Sequence, residues 1–177
     1  MSDPIESRVH VRAGEPVDIP DIIRLIRSLA EFEKLPVPDD AAATRLAQHG
    51  FGDRRCFETL IGEWDGTCVG FALFFMTHST FTARPTLYLE DLFEMPSHRR
   101  RGIGRALLQR LAAIAVERRC GRFEWAVLDW NLEAQRFYAS LGARTLPEWR
   151  LCRLDRGPSL ARLAAVRAEA EHDDSSR

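Results

Sequence analysis

Apolar residues recur every three or four positions between residues 19 and 30, which is the spacing of one buried helix face. This pattern predicts an amphipathic helix, and residues 9–12 before it form a short strand candidate. Two prolines end the helix, and Asp39 or Asp40 can cap a second helix that continues to Gly50. The first part of the chain therefore predicts one strand followed by two helices.

The middle of the chain has the composition of strands. β-Branched and aromatic residues dominate residues 56–64 and 67–76, and Asp65-Gly66 between them is typical of a tight hairpin turn of the primed kind. Residues 78–85 have the composition of a loop, and residues 86–95 predict a third strand that a proline ends. These segments predict an antiparallel meander.

A crossover unit follows the meander. Residues 102–119 carry apolar side chains on one broad face and predict a long helix, and residues 123–128 predict a strand after it. Such a unit normally makes its two strands parallel. A short helix at residues 132–141, closed by Gly142, and a last strand at residues 148–154 complete the pattern. We expect an α/β fold with a mixed, mostly antiparallel sheet flanked by helices.

Length and composition favour one soluble domain. The chain has 177 residues, of which 45% are hydrophobic and 29% charged. We assign residues 8–165 to the domain, residues 1–7 to a flexible amino terminus and residues 166–177 to a polar, frayed helical tail. Because the amino terminus lacks a hydrophobic leader and no apolar run reaches the length of a membrane span, we expect a cytoplasmic protein without membrane partners.

Charge and cysteine content argue against two kinds of partner. The formal net charge of -1 does not favour long-range attraction to nucleic acid. The four cysteines are scattered without the paired spacing of metal ligands, so we expect free thiols and no metal site.

Two glycines stand where a strand has ended and the long helix begins, with arginines around them. The first turn of a helix offers unpaired backbone N–H groups and a favourable dipole, which suit a pyrophosphate. Two glycines before a helix are also common in loops that bind nothing. The complete dinucleotide-binding and Walker patterns are absent. The candidate coenzyme-binding residues of this segment, which we call the phosphate turn, are Arg99, Arg100, Arg101, Gly102, Ile103, Gly104 and Arg105.

The run Arg99-x-x-Gly102-x-Gly104 resembles the signature of the GNAT superfamily of N-acetyltransferases, and the predicted order of elements is similar to its fold. The chain further resembles the diamine (spermidine/spermine) and thialysine acetyltransferases within that superfamily. The segments that carry this resemblance include Gly50-Phe51-Gly52, Val69 to Ala72, Leu87 to Phe93, Trp130-Asn131 and Phe137-Tyr138. The resemblance implies acetyl-CoA as co-substrate, a small-molecule amine as acceptor and a homodimer.

Acetyl transfer needs a neutral amine, whereas an alkylammonium has a pKa of about 10, so a base must take a proton. Glu90 lies in an otherwise apolar strand, where a carboxylate is paired or faces a cleft. The resemblance makes Glu90 the general base, acting through water. A solvent-facing strand position is the alternative for Glu90 and for Glu94. Strand alternation points Asp91 to the opposite face, where it is structural unless a kink redirects it.

Other groups would complete the chemistry. Backbone N–H groups at the end of the Glu90 strand can stabilise the oxyanion, which makes candidates of Leu92, Phe93, Glu94 and Met95. The resemblance makes Tyr138 the acid that protonates the thiolate, and it assigns Asn131, Ala134 and Tyr138 to the coenzyme site. Without the resemblance, Tyr138 would be a core residue and Asn131 an ordinary helix cap.

The amine site rests on acids and one aromatic ring. Phe32 and Glu33 end the first helix and match the family's amine-binding aromatic and acid, although a solvated helix end has the same composition. The full set of candidate substrate-binding residues is Phe32, Glu33, Glu90, Asp91 and Glu148.

The sequence is compatible with several classes of substrate. Eukaryotic members of the family carry an Asp and a Trp in the loop before the Glu90 strand, where this chain has Ser79 and Phe81, which weakens the case for long polyamines. Alternatives are a protein lysine or amino terminus, a free amino acid, or an amino-group drug. A coenzyme-binding module without turnover is a further alternative.

Overall fold

The computed structural model describes residues 8–173, so the expected flexible terminus at residues 1–7 lies outside the described part, as do residues 174–177. The chain divides into two compact units, the first ending at Leu128 and the second beginning at Asp129. Each unit is described by itself, and the assignment of residues 8–165 to one domain stays a prediction.

The first unit contains a five-stranded sheet with the spatial order β1-β2-β3-β4-β5. The first four strands pair antiparallel. Strands β4 and β5, which a helix connects in sequence, pair in parallel. The strands are β1 Val9–Ala13, β2 Glu58–Trp64, β3 Thr67–Ser79, β4 Arg84–Glu94 and β5 Arg122–Trp125. The mixed, mostly antiparallel sheet is confirmed.

Two turns of the meander differ in how well the sequence predicted them. Asp65 and Gly66 both have positive φ, 50° and 76°, which is the conformation of the predicted primed hairpin. The loop predicted at residues 78–85 is wrong, because β3 and β4 stay paired as far as Ser79 opposite Arg84 and leave only residues 80–83 to the loop. The pairing of β3 with β4 therefore includes polar residues whose composition alone is typical of a loop.

Three helices of the first unit were predicted and are confirmed: α1 Ile19–Glu33, α2 Asp40–Phe51 and α3 Ile103–Glu117. The Asp39 side chain accepts a hydrogen bond from the Ala42 N–H and so caps α2. On α1, Leu25 is fully buried in a cluster that includes Phe71 and Phe93 of the sheet. This cluster fixes α1 on one face of the sheet.

The start of α3 lies on the opposite face. A Cβ on Gly62 would be 2.7 Å from Ile103 Cγ2, and one on Gly70 would be 3.0 Å from the Phe93 carbonyl oxygen and 3.1 Å from Ile103 Cγ2. Since only glycine leaves this space, the two positions let Ile103 pack directly on the sheet. The phosphate turn is thereby held against β2 and β3.

Strand β4 contains a β-bulge at Glu90. Leu73 of β3 pairs with Asp91, but the next residue, Phe74, pairs with Leu89, so Glu90 is an extra residue without a partner on β3. Pairing with β5 reaches only as far as Leu89 and Trp125. The predicted strand at 123–128 is therefore shorter than expected, because β4 is no longer regular beyond the bulge.

The second unit contains α4, Leu132–Ser140, and α5, Pro158–Asp173. Gly142 has a φ of 89°, and the Ala143 N–H bonds to the Tyr138 carbonyl at 3.1 Å, which closes α4 as predicted. The strand predicted at 148–154 is wrong, since the Trp149 N–H bonds to the Leu146 carbonyl at 3.2 Å and forms a turn with a proline in its second position. Helix α5 continues to Asp173, beyond residue 166, where the frayed tail was expected to begin.

Candidate active site

Gly102 forms the corner of the phosphate turn. It has a φ of 89°, stands immediately before α3, and has no heavy atom within 4 Å of the position that a Cβ would occupy. A left-handed conformation favours glycine, and the open space allows a ligand to approach the backbone. The N–H groups of the first turn of α3 have no carbonyl partner within the helix, so this turn can bind an anion.

The four arginines of the phosphate turn have different surroundings. The Arg101 guanidinium lies 4.9 Å from the centre of the Trp64 ring, so it packs on the β2–β3 hairpin. The Arg99 guanidinium lies 4.7 Å from the Phe32 ring centre at the end of α1. Arg100 and Arg105 are exposed and form no ion pair with any carboxylate of the described residues. These last two are the arginines best able to meet a phosphate.

The two edges of β4 differ near its end, because pairing with β5 stops at Leu89 while pairing with β3 continues. The Met95 N–H donates to the Val69 carbonyl at 2.8 Å, towards β3. Because N–H directions alternate along an extended strand, those of Leu92 and Glu94 point to the opposite edge, where β5 has already ended. Of the four predicted backbone donors, Leu92 and Glu94 therefore point away from β3, whereas the Met95 N–H is bonded to β3.

The bulge decides which way Asp91 faces. Leu89 lies opposite Phe74, whose ring is 5.8 Å from the Arg118 guanidinium after α3, whereas Asp91 lies opposite Leu73 in the cluster under α1. The two residues thus face opposite sides of the sheet, although strict alternation would put them on the same side. The sequence predicts that Asp91 faces the site only if a kink redirects the strand. The extra residue at Glu90 provides this kink and turns Asp91 towards the end of α1.

Asp91 and Glu33 form an acidic pair at this end of α1. Burial, followed by the charges of Glu90 and Glu33, raises the pKa of Asp91 from 3.8 to about 7. Burial also raises the pKa of Glu33. Both side chains are half-buried. Negative charge that is poorly hydrated here favours a cation as ligand.

Glu90 and Phe32 flank this pair in different ways. Glu90 is exposed, and no described residue forms a hydrogen bond or ion pair with its carboxylate. Phe32 packs against the core cluster, and the Arg99 guanidinium lies over its ring. The aromatic ring predicted to contact the amine therefore also contacts the phosphate turn.

The remaining candidates lie in the second unit. The Asn131 side chain accepts a hydrogen bond from the Ala134 N–H at 3.2 Å and so caps α4. Tyr138 is half-buried on α4, with its ring centre 5.6 Å from that of Phe137. Glu148 is exposed in the turn before residue 150.

Two side chains have roles that the sequence did not indicate. Ser79 is buried and accepts a hydrogen bond from Arg122 of β5, so it stabilises the sheet. It offers no carboxylate to a substrate. The Glu94 carboxylate accepts a hydrogen bond from the Gly104 N–H at 3.1 Å. Neither partner is close in sequence, so no local pattern signals these contacts. Phe81, by contrast, is 94% exposed at the β3–β4 loop.

No helix between residues 8 and 173 is long and apolar enough to cross a membrane. No group of three or more His, Cys, Asp or Glu side chains in this range is arranged to hold a metal ion. The absence of a metal from the reaction stays a prediction.

The chain is similar in sequence and in fold to known acetyltransferases. The model of the acetyltransferase (GNAT) family matches residues 22–143. The chain is 38% identical over 148 residues to thialysine N-epsilon-acetyltransferase of Sus scrofa, covering 79% of this chain and 86% of that protein. It is 46% identical over 90 residues to an L-ornithine N5-acetyltransferase of Arabidopsis thaliana, covering 51% of this chain and 40% of that protein. Its fold is similar to that of an aminoglycoside N-acetyltransferase in complex with CoA, with a TM-score of 0.70 at 20% identity over 84% of this chain and 95% of the other.

Proposed function

The chain belongs to the acetyltransferase (GNAT) family and is an acetyl-CoA-dependent N-acetyltransferase; we propose that it acetylates the terminal primary amine of a small cationic substrate, thialysine-like or diamine-like. The observation that carries this substrate class is the half-buried carboxyl pair of Glu33 and Asp91. A bound ammonium group offsets the charge that burial disfavours, whereas a neutral acceptor offers no such gain.

The residues present fit the coenzyme. Acetyl-CoA supplies an activated thioester carbonyl and carries a pyrophosphate. Gly102 leaves open space beside the first turn of α3, and Arg100 and Arg105 are exposed beside it. On the edge of β4 that faces away from β3, the N–H groups of Leu92 and Glu94 have the direction needed to bind carbonyl oxygens of the coenzyme.

Glu90 is the proposed general base. An alkylammonium with a pKa of about 10 must lose a proton before its nitrogen can attack the thioester carbonyl. Glu90 is exposed at the bulge beside Asp91, so a water molecule can pass the proton from the amine to its carboxylate. In this assignment Glu33 and Asp91 hold the ammonium group and Glu90 accepts its proton.

Tyr138 is the proposed general acid. As the new N–C bond forms and the C–S bond breaks, the coenzyme sulfur takes up a proton, which the tyrosine hydroxyl can donate. The backbone around Tyr138 is held by the Asn131 cap before it and by the closing turn after it. The ammonium group loses two protons in all. Glu90 takes the first before the attack and passes it to solvent, and the second, lost by the nitrogen once the N–C bond has formed, offsets the proton that Tyr138 gives to the sulfur.

The side-chain amine of a small amino acid fits the available observations better than a long polyamine. Thialysine and ornithine, the acceptors in the names of the two relatives, are amino acids with a terminal amine. At the position where the resemblance places an Asp in eukaryotic members of the family, Ser79 is buried and bonded to Arg122. A second acid for a long polycation is therefore missing at that position.

A thiol-release assay with acetyl-CoA tests the proposal. The panel pairs acceptors that differ by one group: ornithine with putrescine, lysine with cadaverine, and thialysine with lysine. Spermidine, an amino-terminal peptide and an aminoglycoside represent the other classes. We expect turnover with the small terminal amines and the highest kcat/KM among the amino acids. Turnover confined to the peptide or the aminoglycoside contradicts the proposed substrate class.

Two further proposals concern the assembly of the protein and its location. We propose a homodimer, which the resemblance to the diamine and thialysine acetyltransferases implies, and a cytoplasmic location, which the polar amino-terminal sequence favours. Light scattering of the purified protein measures the first, and a monomer at all concentrations used in the assay contradicts it.

A further inference from the structure

The carboxylate of Glu94 lies over the first turn of α3. The Gly104 N–H donates to Glu94 Oε2 at 3.1 Å. A Cβ on Gly104 would meet both carboxylate oxygens, at 3.7 Å and 3.8 Å, so the group lies flat against the glycine. A negative charge of the protein itself therefore occupies part of the surface that an anionic ligand would use.

This position matters because of the coenzyme site of the proposed function, on which the inference rests. The N–H groups at a helix amino terminus favour an anion, and a charge-assisted hydrogen bond is stronger than a neutral one. A pyrophosphate at the phosphate turn must compete with Glu94 for the Gly104 N–H, and it also meets a like charge nearby. We propose that Glu94 is an affinity-setting residue that weakens binding of the coenzyme pyrophosphate.

The positive side chains of the turn set the limit of this effect. Arg100 and Arg105 are exposed and form no ion pair with a carboxylate in the described part of the chain. Their positive charges are therefore available to the phosphates of the coenzyme. For this reason Glu94 lowers the affinity for the coenzyme without abolishing binding. An acetyl-CoA site with arginines alone at this turn would bind more tightly and release its product more slowly.

The backbone and the side chain of Glu94 act in opposite directions. Its N–H points away from β3 and is a candidate donor to the coenzyme, whereas its carboxylate competes with the pyrophosphate. A substitution that keeps the strand changes only the second of these. Glu94→Gln removes the charge at nearly constant shape, and Glu94→Val replaces it with a residue that favours strands.

Calorimetric titration with CoA measures the effect. We expect Glu94→Gln to bind CoA about fivefold more tightly or better, since charge effects at helix termini and charged hydrogen bonds are of that size. The KM for acetylpantetheine, which lacks the pyrophosphate, should stay within about twofold of the wild-type value. Glu117→Gln is the matched control, because it removes the same charge from the far end of α3, where Glu117 pairs with Arg110.

The outcomes separate this inference from the proposed function. Wild-type protein that binds no CoA contradicts the coenzyme site itself. Binding by the wild type with unchanged or weaker affinity in Glu94→Gln and Glu94→Val shows that the carboxylate only caps the helix, which overturns the inference alone. Tighter binding of CoA and of acetylpantetheine to the same extent also overturns it, because the pyrophosphate is then not the group that competes.

Discussion

The Arg99 guanidinium lies 4.7 Å from the centre of the Phe32 ring. This contact joins the phosphate turn to the last turn of α1, where Glu33 and Asp91 form the acidic pair. A residue assigned to the coenzyme is thus supported by a residue assigned to the amine. The two parts of the proposed site share one packing contact.

Replacement of Phe32 by leucine should therefore affect the coenzyme as well as the amine. Loss of the cation–π contact frees the Arg99 side chain, and we expect acetyl-CoA affinity to fall about two- to fivefold. A double-mutant cycle with Arg99→Gln, read by calorimetry, isolates the pair. Arg118→Gln removes a comparable contact with Phe74 and serves as control. Additive effects of the two changes at Phe32 and Arg99 contradict the coupling.

Replacement of Gly102 by valine should weaken coenzyme binding. The left-handed backbone costs a branched residue about 1–2 kcal/mol, and the new side chain occupies the open space beside the first turn of α3. Gly66→Val is a close control, because Gly66 also has a positive φ, 76°, and nothing within 4 Å of its Cβ position. Both variants should lose thermal stability, but only Gly102→Val should raise the dissociation constant. Equal CoA binding in the two variants removes Gly102 from the proposed site.

Replacement of Tyr138 by phenylalanine should lower kcat about 100-fold or more, the usual contribution of a general acid, with little change in acetyl-CoA affinity. Tyr88→Phe removes the only other tyrosine hydroxyl of the chain and is the control. Stopped thiol-release assays at saturating substrate measure kcat for both. A Tyr138→Phe enzyme as active as Tyr88→Phe assigns the thiolate proton to another donor.

Asp91 should make stability fall as pH rises. Its pKa is about 7 in the folded protein and 3.8 as an ordinary group, so between these values the folded state holds a proton that the unfolded chain has lost. The free energy of unfolding therefore falls as the pH rises from 3.8 to about 7. Asp91→Asn should therefore raise Tm at pH 8 and change it little at pH 4. Thermal melts of both proteins across this range measure the difference, and a constant offset at every pH contradicts it.

The same group should control amine binding. An ammonium substrate needs Asp91 ionised, so the KM for the amine should rise as the pH falls below about 7. In Asp91→Asn this KM should be higher at pH 8 and nearly independent of pH, while the KM for acetyl-CoA changes little. If the KM of the variant for the amine still rises as the pH falls, this dependence belongs to another group, such as Glu33, whose pKa burial also raises.

Many features of this protein follow from short stretches of sequence. The Asp65-Gly66 turn, the Asp39 cap and the closing glycine after α4 depend on backbone preferences within a few residues, so composition and spacing predict them. The phosphate turn is of the same kind, because a glycine before an apolar helix is a local signal.

Only the tertiary structure decided the parts that depend on residues far apart in the chain. The bulge at Glu90 is visible only in the pairing with β3, and it turns Asp91 towards α1. The alternating residues at 148–154 form no strand, because alternation does not supply a hydrogen-bonded partner. Glu94 meets Gly104 because the start of α3 packs on the sheet beside the end of β4. Side-chain partners, burial and pKa are properties of packing, and spacing along a chain carries no direct record of them.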